Sequence, residues 1–264
     1  MKRLPLLLIL AIMAFGQAPQ PEFEVASIKT FAGTGLPESY TLNPGRSGGR
    51  FSWTNTLSGF INYAYQLPAW QVSWPDSGGA EHSFFAIAAA MPASSTEEQA
   101  RLMLRRLLTD RFHIVSHSQT KELQGFELMV AKNGPKLGVA SPTGEPPPLP
   151  PYFGGKASAA FEGQTITSVE GPGALAITGR RVPIARLARQ LSETLGGPVV
   201  DRTGLTGLYY FGFRFANPAD LRPDVDVPTA LAAVQEELGL RLESRKLSAE
   251  ILVITKFDRQ PSEN

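Results

Sequence analysis

The chain has 264 residues, of which 42% are hydrophobic and 19% are charged, and its formal net charge is +1. These values are typical of a globular protein and exclude an intrinsically disordered chain. They also exclude a strongly basic surface, so we expect no nucleic-acid partner. Because the chain has no cysteine, it forms no disulfide and has no cysteine-ligated metal.

The N-terminus has the three parts of a secretory signal peptide. A short positive region at 1–3 precedes an apolar stretch over 4–15, and Gly16 and Ala18 supply small residues before a cleavage site. We expect cleavage after Ala18 and a secreted or periplasmic protein, with an uncleaved membrane anchor as the alternative. No later stretch is apolar enough to predict a membrane span.

The first half of the chain is predicted to mix strands and helices. The sequence patterns predict strands at 23–29, 69–74 and 82–91. A helical pattern lies at 56–67, with Thr54 or Asn55 as its N-cap. Residues 31–50 are rich in glycine, proline and serine and are predicted to form a loop.

A capping box marks the clearest helix, over 96–109. Ser95 or Thr96 begins this helix, and Glu98 or Gln99 lies three residues later. Its buried stripe is predicted to be Leu102, Met103, Leu107 and Leu108. Strands are predicted at 111–116 and 124–131, with residues 117–123 as the hairpin connection between them.

The second half repeats this order. Its predicted elements are a helix at 183–195, strands at 198–201 and 209–215, a helix at 228–238, and strands at 240–243 and 249–255. The predicted organisation is a first module over 21–138, a Pro/Gly-rich linker or loop over 139–160, a second module over 161–258 and a tail over 259–264. The fold class is therefore α+β, with two αββαββ modules packed together and helices on one face of small mixed sheets.

The segment VVDRTGLTGLYYF, residues 199–211, concentrates polar groups after a strand. Asp201 and Thr203 are side chains that bond to nearby backbone N–H groups in turns, while Gly204 and Gly207 suit positive φ. We interpret these four residues as a structural turn. In the alternative reading Asp201 is an acid/base or nucleophile, but the Asp-Thr/Ser-Gly of aspartic proteases is interrupted here by Arg202.

No constellation of residues predicts catalysis, a cofactor or a metal. His113 and His117 on one strand lie about 13 Å apart at ~3.3 Å per residue, too far for one ion. The chain has no G-x-S-x-G, no P-loop and no dinucleotide-binding context. We therefore predict no catalytic residue.

Exposed aromatic residues are the candidates for a binding surface. The candidates are Trp53, Trp70, Trp74, Tyr209 and Tyr210. Such side chains form platforms for sugars or peptides when they lie at the surface. The alternative is packing in the core and strands.

Two resemblances bear on function. The order helix, strand, helix, "LGLRL", strand resembles the short periplasmic domains at the N-termini of secretins and TonB-dependent receptors, which implies an adaptor. FEVASIK, MLRRLLTDRFHI, FELMVAKNGPKL, VVDRTGLTGLYYF and ILVITK occur in the order typical of a large secreted family of unknown function abundant in acidobacteria, which this chain resembles. That resemblance implies many paralogues and, in some relatives, fusion to a membrane-bound sensor peptidase. Family members usually have Tyr-Asp where this chain has Tyr209 and Tyr210.

The preferred hypothesis is a non-catalytic envelope protein that binds a protein or peptide partner by strand addition or through loops. The first alternative is a secreted hydrolase or carbohydrate-binding protein with a possible glycan ligand. The second alternative is a component of an envelope sensor.

Overall fold

The computed structural model describes residues 21–31, 35–41, 43–140, 163–222 and 226–263. The predicted signal peptide, 1–18, and nearly all of the predicted linker, 139–160, lie outside the described residues.

Twelve strands and four helices follow one another in the described residues. The first half contains β1 (Val25–Thr30), β2 (Gly45–Ser47), β3 (Arg50–Thr56), α1 (Leu57–Tyr65), β4 (Val72–Ser73), β5 (Phe84–Ala90), α2 (Glu97–Phe112), β6 (Val115–Val130) and β7 (Gly138–Val139). The second half contains β8 (Gln164–Val169), β9 (Ala174–Val182), α3 (Ile184–Leu195), β10 (Val199–Asp201), β11 (Tyr209–Ala216), α4 (Ala230–Leu238) and β12 (Leu240–Lys256). This mixed helix and strand content confirms the predicted presence of both element types.

The elements form two compact bodies that interleave along the chain. Among the described residues, the first body comprises those within 1–66, 76–115 and 256–264, and the second those within 67–75 and 116–255. The sequence predicts two consecutive modules instead. The short strand β4 lies in the first half of the chain but pairs with β12, near the end of the chain. Residues 67–75 therefore belong to the second body, and the two bodies are not consecutive in sequence.

The first body contains an antiparallel sheet in the order β1-β5-β3-β2. Alternate residues of β3 and β5 point into the core, as the two-residue period of a strand requires. Its fully buried large side chains include Phe51, Phe60, Phe85, Leu104 and Phe112. The rings of Phe85 and Phe112 meet edge to face at 5.0 Å, so the end of α2 packs directly on β5.

Helix α2 begins with the predicted capping box. Thr96 accepts a hydrogen bond from the backbone N–H of Gln99, whose side chain accepts one from Thr96. The buried stripe differs from the prediction at one position, because Leu102 is 38% exposed whereas Leu104 is fully buried. Counting from the buried Ala100, positions three and four residues on share one helix face, and Leu102 falls outside it.

Two predictions near the start of α1 are wrong in detail. The N-cap of α1 is Thr56, whose Oγ1 accepts from Gly59 N at 3.0 Å, whereas Thr54 and Asn55 are buried within β3. The predicted loop over 31–50 contains β2, which forms a hairpin with β3. Gly48 and Gly49, at φ 54° and 75°, make the two-residue turn that needs positive φ.

The second body contains two sheets. One is antiparallel in the order β7-β11-β9-β8, and the other has the order β10-β6-β12-β4. Its core cluster includes Leu128, Ile177, Phe213, Phe215 and Leu238. The two short edge strands run parallel to their neighbours, with Val199 opposite Phe126 in β10–β6 and Val72 opposite Leu252 in β4–β12.

The hairpin predicted over 117–123 is wrong. Residues 115–130 form one 16-residue strand, and residues 240–256, predicted as two strands, form one of 17 residues. Contacts from Gln124 to Ser244 and from Met129 to Arg241 show that these neighbours run antiparallel. The segment HSQTKEL has no glycine, proline, asparagine or aspartate to make a tight turn, so the strand continues.

None of the helices in the described residues has the length and hydropathy that crossing a membrane requires.

Candidate functional site

The segment after β10 forms a tight turn around Asp201. Its Oδ1 accepts hydrogen bonds from Thr203 N at 2.9 Å and from Thr203 Oγ1 at 2.7 Å. Thr203 Oγ1 in turn accepts from Leu205 N at 3.2 Å, and Gly204 has φ of 69°. The polar side chains of this segment thus bond to its own backbone and to each other.

The sequence predicts a positive φ for Gly207, but its φ is not positive. A Cβ atom at Gly207 would lie 3.2 Å from the Tyr209 hydroxyl. The position therefore favours a small residue because of the neighbouring ring.

Three of the five predicted binding aromatics lie in the cores of the two bodies. Trp53 is 4% exposed, packs edge to face on Phe60 at 5.1 Å and donates its Nε1–H to Thr41 O at 2.8 Å. Tyr209 and Tyr210 are buried in β11. Their rings offer little surface to a ligand.

Trp70 and Trp74 lie on either side of β4 and are only half-buried. The segment between them is fixed to β12, because Gln71 donates its side-chain N–H to Glu250 O at 2.9 Å. The predicted aromatic platform is thus reduced to these two tryptophans.

The histidines are exposed and do not converge on one site. His113 ends α2 in the left-handed conformation, and its Nδ1 lies 2.8 Å from Asp258 Oδ2. His82 has 72% of its side chain exposed. Within the ranges that the structure describes, no three histidine, aspartate or glutamate side chains are grouped to hold a metal.

His82 lies between Ser58 and Glu81. Its Nδ1 lies 3.5 Å from Ser58 Oγ, and its Nε2 lies 3.6 Å from Glu81 Oε1. Burial acts to raise the pKa of Glu81, but hydrogen bonds from Ser77 and the backbone, together with His82, lower the pKa overall. Glu81 therefore acts as an ionised acceptor for Ser77.

The first body also contains an open groove of about 550 Å³ beside the edge strand β1. Its lining comes from residues 22–26, from five residues of α2 that include Met103 and Leu107, and from Ser262 and Glu263. We call this cavity the β1 groove. It combines a sheet edge, apolar side chains and charged groups, as peptide-binding clefts do.

Two arginines of α2 organise the β1 groove. Arg106 forms an ion pair with Glu22 at 2.9 Å and one with Asp110 at 3.6 Å. Arg111 donates to Ser262 O at 2.9 Å and to Ala26 O at 3.5 Å. These contacts connect the helix to the segment before β1 and to the end of the chain.

Sequence reasoning did not find the β1 groove. Met103 and Leu107 lie four residues apart on the buried stripe of α2, and Arg106 and Asp110 have the same spacing beside them. The shared spacing of these two pairs indicates that α2 has a row of apolar side chains with charged side chains beside it. It does not show which strand faces that row.

The described residues thus define a mixed α and β protein with an open groove at a sheet edge. The chain belongs to the family described as "protein of unknown function (DUF3738)", whose model matches residues 58–257. The match confirms the expectation of an uncharacterised family. No curated protein and no solved structure was found to match.

Proposed function

We propose that the chain is a secreted or periplasmic, non-catalytic adaptor that docks a protein or peptide segment in the cell envelope. The observation that carries the proposal is the edge strand β1. Among the described residues it pairs with β5 alone, and it borders an open groove. An unpaired edge presents free N–H and C=O groups, which makes it a template for strand addition.

Export to the envelope rests on the sequence. Residues 1–18 have the positive, apolar and small-residue regions of a signal peptide. The resemblance to a secreted acidobacterial family supports the same localisation.

The proposed adaptor consists of two related modules, each with the order αββαβ instead of the predicted αββαββ, because residues 115–130 and 240–256 each form one strand. The orders α1-β4-β5-α2-β6 and α3-β10-β11-α4-β12 correspond element by element. The short strand of each half also pairs in parallel with the long strand of the other half, β4 with β12 and β10 with β6. This reciprocal pairing supports a duplication, and the resemblance to secretin and TonB-receptor domains supports an adaptor role.

A hydrolase is the second candidate, because His82 lines a cavity of about 390 Å³ and lies between Ser58 and Glu81. In a serine hydrolase triad, histidine Nε2 takes the serine proton and Nδ1–H faces the acid. Here Nδ1 faces Ser58 and Nε2 faces Glu81, at the outer limits of contact. This geometry favours a surface polar cluster over a triad.

The adaptor proposal is tested by capturing partners from an envelope extract on the immobilised full chain and then reconstituting each pair from purified proteins. A Ser58→Ala bait is the matched control. We expect at least one partner to bind directly and equally to both baits. If no purified candidate binds, or if Ser58→Ala abolishes turnover of an envelope substrate, the adaptor proposal is wrong.

A further inference from the structure

We infer that the β1 groove binds an extended peptide segment in which apolar residues alternate with basic ones, added as a strand to the free edge of β1. This inference rests on the adaptor function proposed above and specifies the chemistry of its partner.

The backbone of β1 leaves alternate residues free on the outer side. Phe31 N donates to Phe84 O, and the pairing from Val25–Ala90 to Thr30–Phe85 has the same register. In an antiparallel ladder only every second residue bonds to a given neighbour, so the odd-numbered residues face β5. The N–H and C=O groups of Ala26 and Ile28 therefore point away from the sheet.

One contact supports this direction independently. Arg111 of α2 reaches Ala26 O, a carbonyl that only a group outside the sheet can approach. The long 3.5 Å distance indicates a weak bond, which a peptide N–H would replace with a shorter one.

The groove also supplies an apolar strip for one face of the added strand. Met103 and Leu107 line the groove one turn of α2 apart, but both are less than one-tenth exposed, so they present little surface of their own to a ligand. Val25, which also lines the groove, is 68% exposed and supplies most of the apolar surface that a ligand could reach there. Successive side chains of a strand alternate between faces, so apolar residues at every second position of the peptide would cover this strip.

The charge of the groove selects a basic partner. Its lining carries four carboxylates, from Glu22, Glu24, Asp110 and Glu263, and two guanidinium groups, from Arg106 and Arg111. Arg106 forms ion pairs with both Glu22 and Asp110, and the six charged groups of the lining together carry a formal charge of −2. Glu24 and Glu263 form no ion pair with the described residues, which leaves the rim acidic and complementary to lysine or arginine on the peptide.

The probe is a phage-displayed library of random nonapeptides, selected on the full chain, from which the most enriched peptide is synthesised. Ala26→Pro removes an outward N–H and leaves the ladder with β5 intact, since proline is tolerated at a sheet edge. Glu24→Lys reverses a rim charge, and Glu38→Lys reverses an exposed charge away from the groove as the matched control. Circular dichroism melting confirms that each variant folds.

We expect enriched peptides with net positive charge and apolar residues at alternate positions. Ala26→Pro should weaken binding about tenfold, which corresponds to roughly one main-chain hydrogen bond. Glu24→Lys should weaken it about fivefold at low salt, and Glu38→Lys less than twofold.

Three results would overturn the inference. The first is enrichment of acidic or patternless peptides, and the second is binding that folded Ala26→Pro leaves unchanged. The third is dimerisation through β1, seen by light scattering as a dimer that Ala26→Pro dissociates. An envelope partner that binds wild type and Ala26→Pro equally would preserve the adaptor proposal and reject this site.

Discussion

The turn at Asp201 and the β1 groove are both rich in charged and polar side chains, but they use them differently. At Asp201 the carboxylate bonds to Thr203, and the Thr203 hydroxyl bonds to the backbone. In the groove, Glu24 forms no ion pair with the described residues, and part of the β1 backbone faces outward. A dense polar motif within one segment thus serves to shape the chain. The groups of the groove that could bind a partner come instead from three segments far apart in sequence, namely 22–26, α2 and 262–263.

Replacing Asp201 should have the largest effect on stability and none on peptide binding. Asp201→Ala removes the acceptor for Thr203 N and Oγ1, and should lower the free energy of unfolding by about 1–3 kcal/mol. Asp201→Asn keeps one oxygen acceptor and should lose less. Urea titration measures both variants, and equal losses would show that the hydrogen bonds to Thr203 contribute little.

Gly204 and Gly207 lie in the same turn but have different backbone conformations. Gly204→Ala places a side chain at φ 69° and should cost about 1 kcal/mol. Gly207→Ala meets only the movable end of Tyr209 and should cost less. Thermal unfolding of the pair, read against wild type, measures the difference. A larger loss at Gly207 would contradict this account.

Arg106→Ala separates binding from stability in the groove. Its ion pairs are solvent-exposed, so unfolding should change by less than ~1 kcal/mol. The rim becomes more acidic, so a basic peptide should bind about threefold more tightly at low salt, and added salt should remove the gain. Calorimetry at two salt concentrations provides the measurement. Weaker binding would mean that Arg106 contacts the peptide itself.

The smallest effect concerns Tyr63, which lies outside both regions. Burial, and after it the charge of Glu97, raises the pKa of the Tyr63 phenol above its ordinary value of 10.0. Folding therefore favours the neutral phenol. That contribution is complete below pH 10 and is lost as pH rises through the higher folded-state pKa. Difference absorbance of wild type against Tyr63→Phe should show late ionisation of one tyrosine. Ionisation at or below pH 10 would contradict the assignment.

Local patterns predicted local structure well. The capping box at Thr96 and the periodicities of α2 and α3 gave their positions to within a few residues, because they depend on neighbours in sequence. Strand partners depend on distant residues, so neither the continuous strand β6 nor the interleaving of the two bodies was predicted.

The candidate site was harder to predict for the same reason. Burial of Trp53 and Tyr209 follows from where their strands pack, which composition does not reveal. The β1 groove needs residues 22–26, α2 and residues 262–263 together. No motif spans those three segments.

The pairing of β4 with β12 has a consequence for biosynthesis. Gln71 and its partner Glu250 lie 179 positions apart, and Val72 meets Leu252 in the same ladder. Such distant contacts slow folding, since a long loop must close before they form. β4 therefore remains unpaired with β12 until almost the entire polypeptide has been synthesised and, as proposed above, exported. A chaperone that shields its two flanking tryptophans during that interval would raise the yield of native protein.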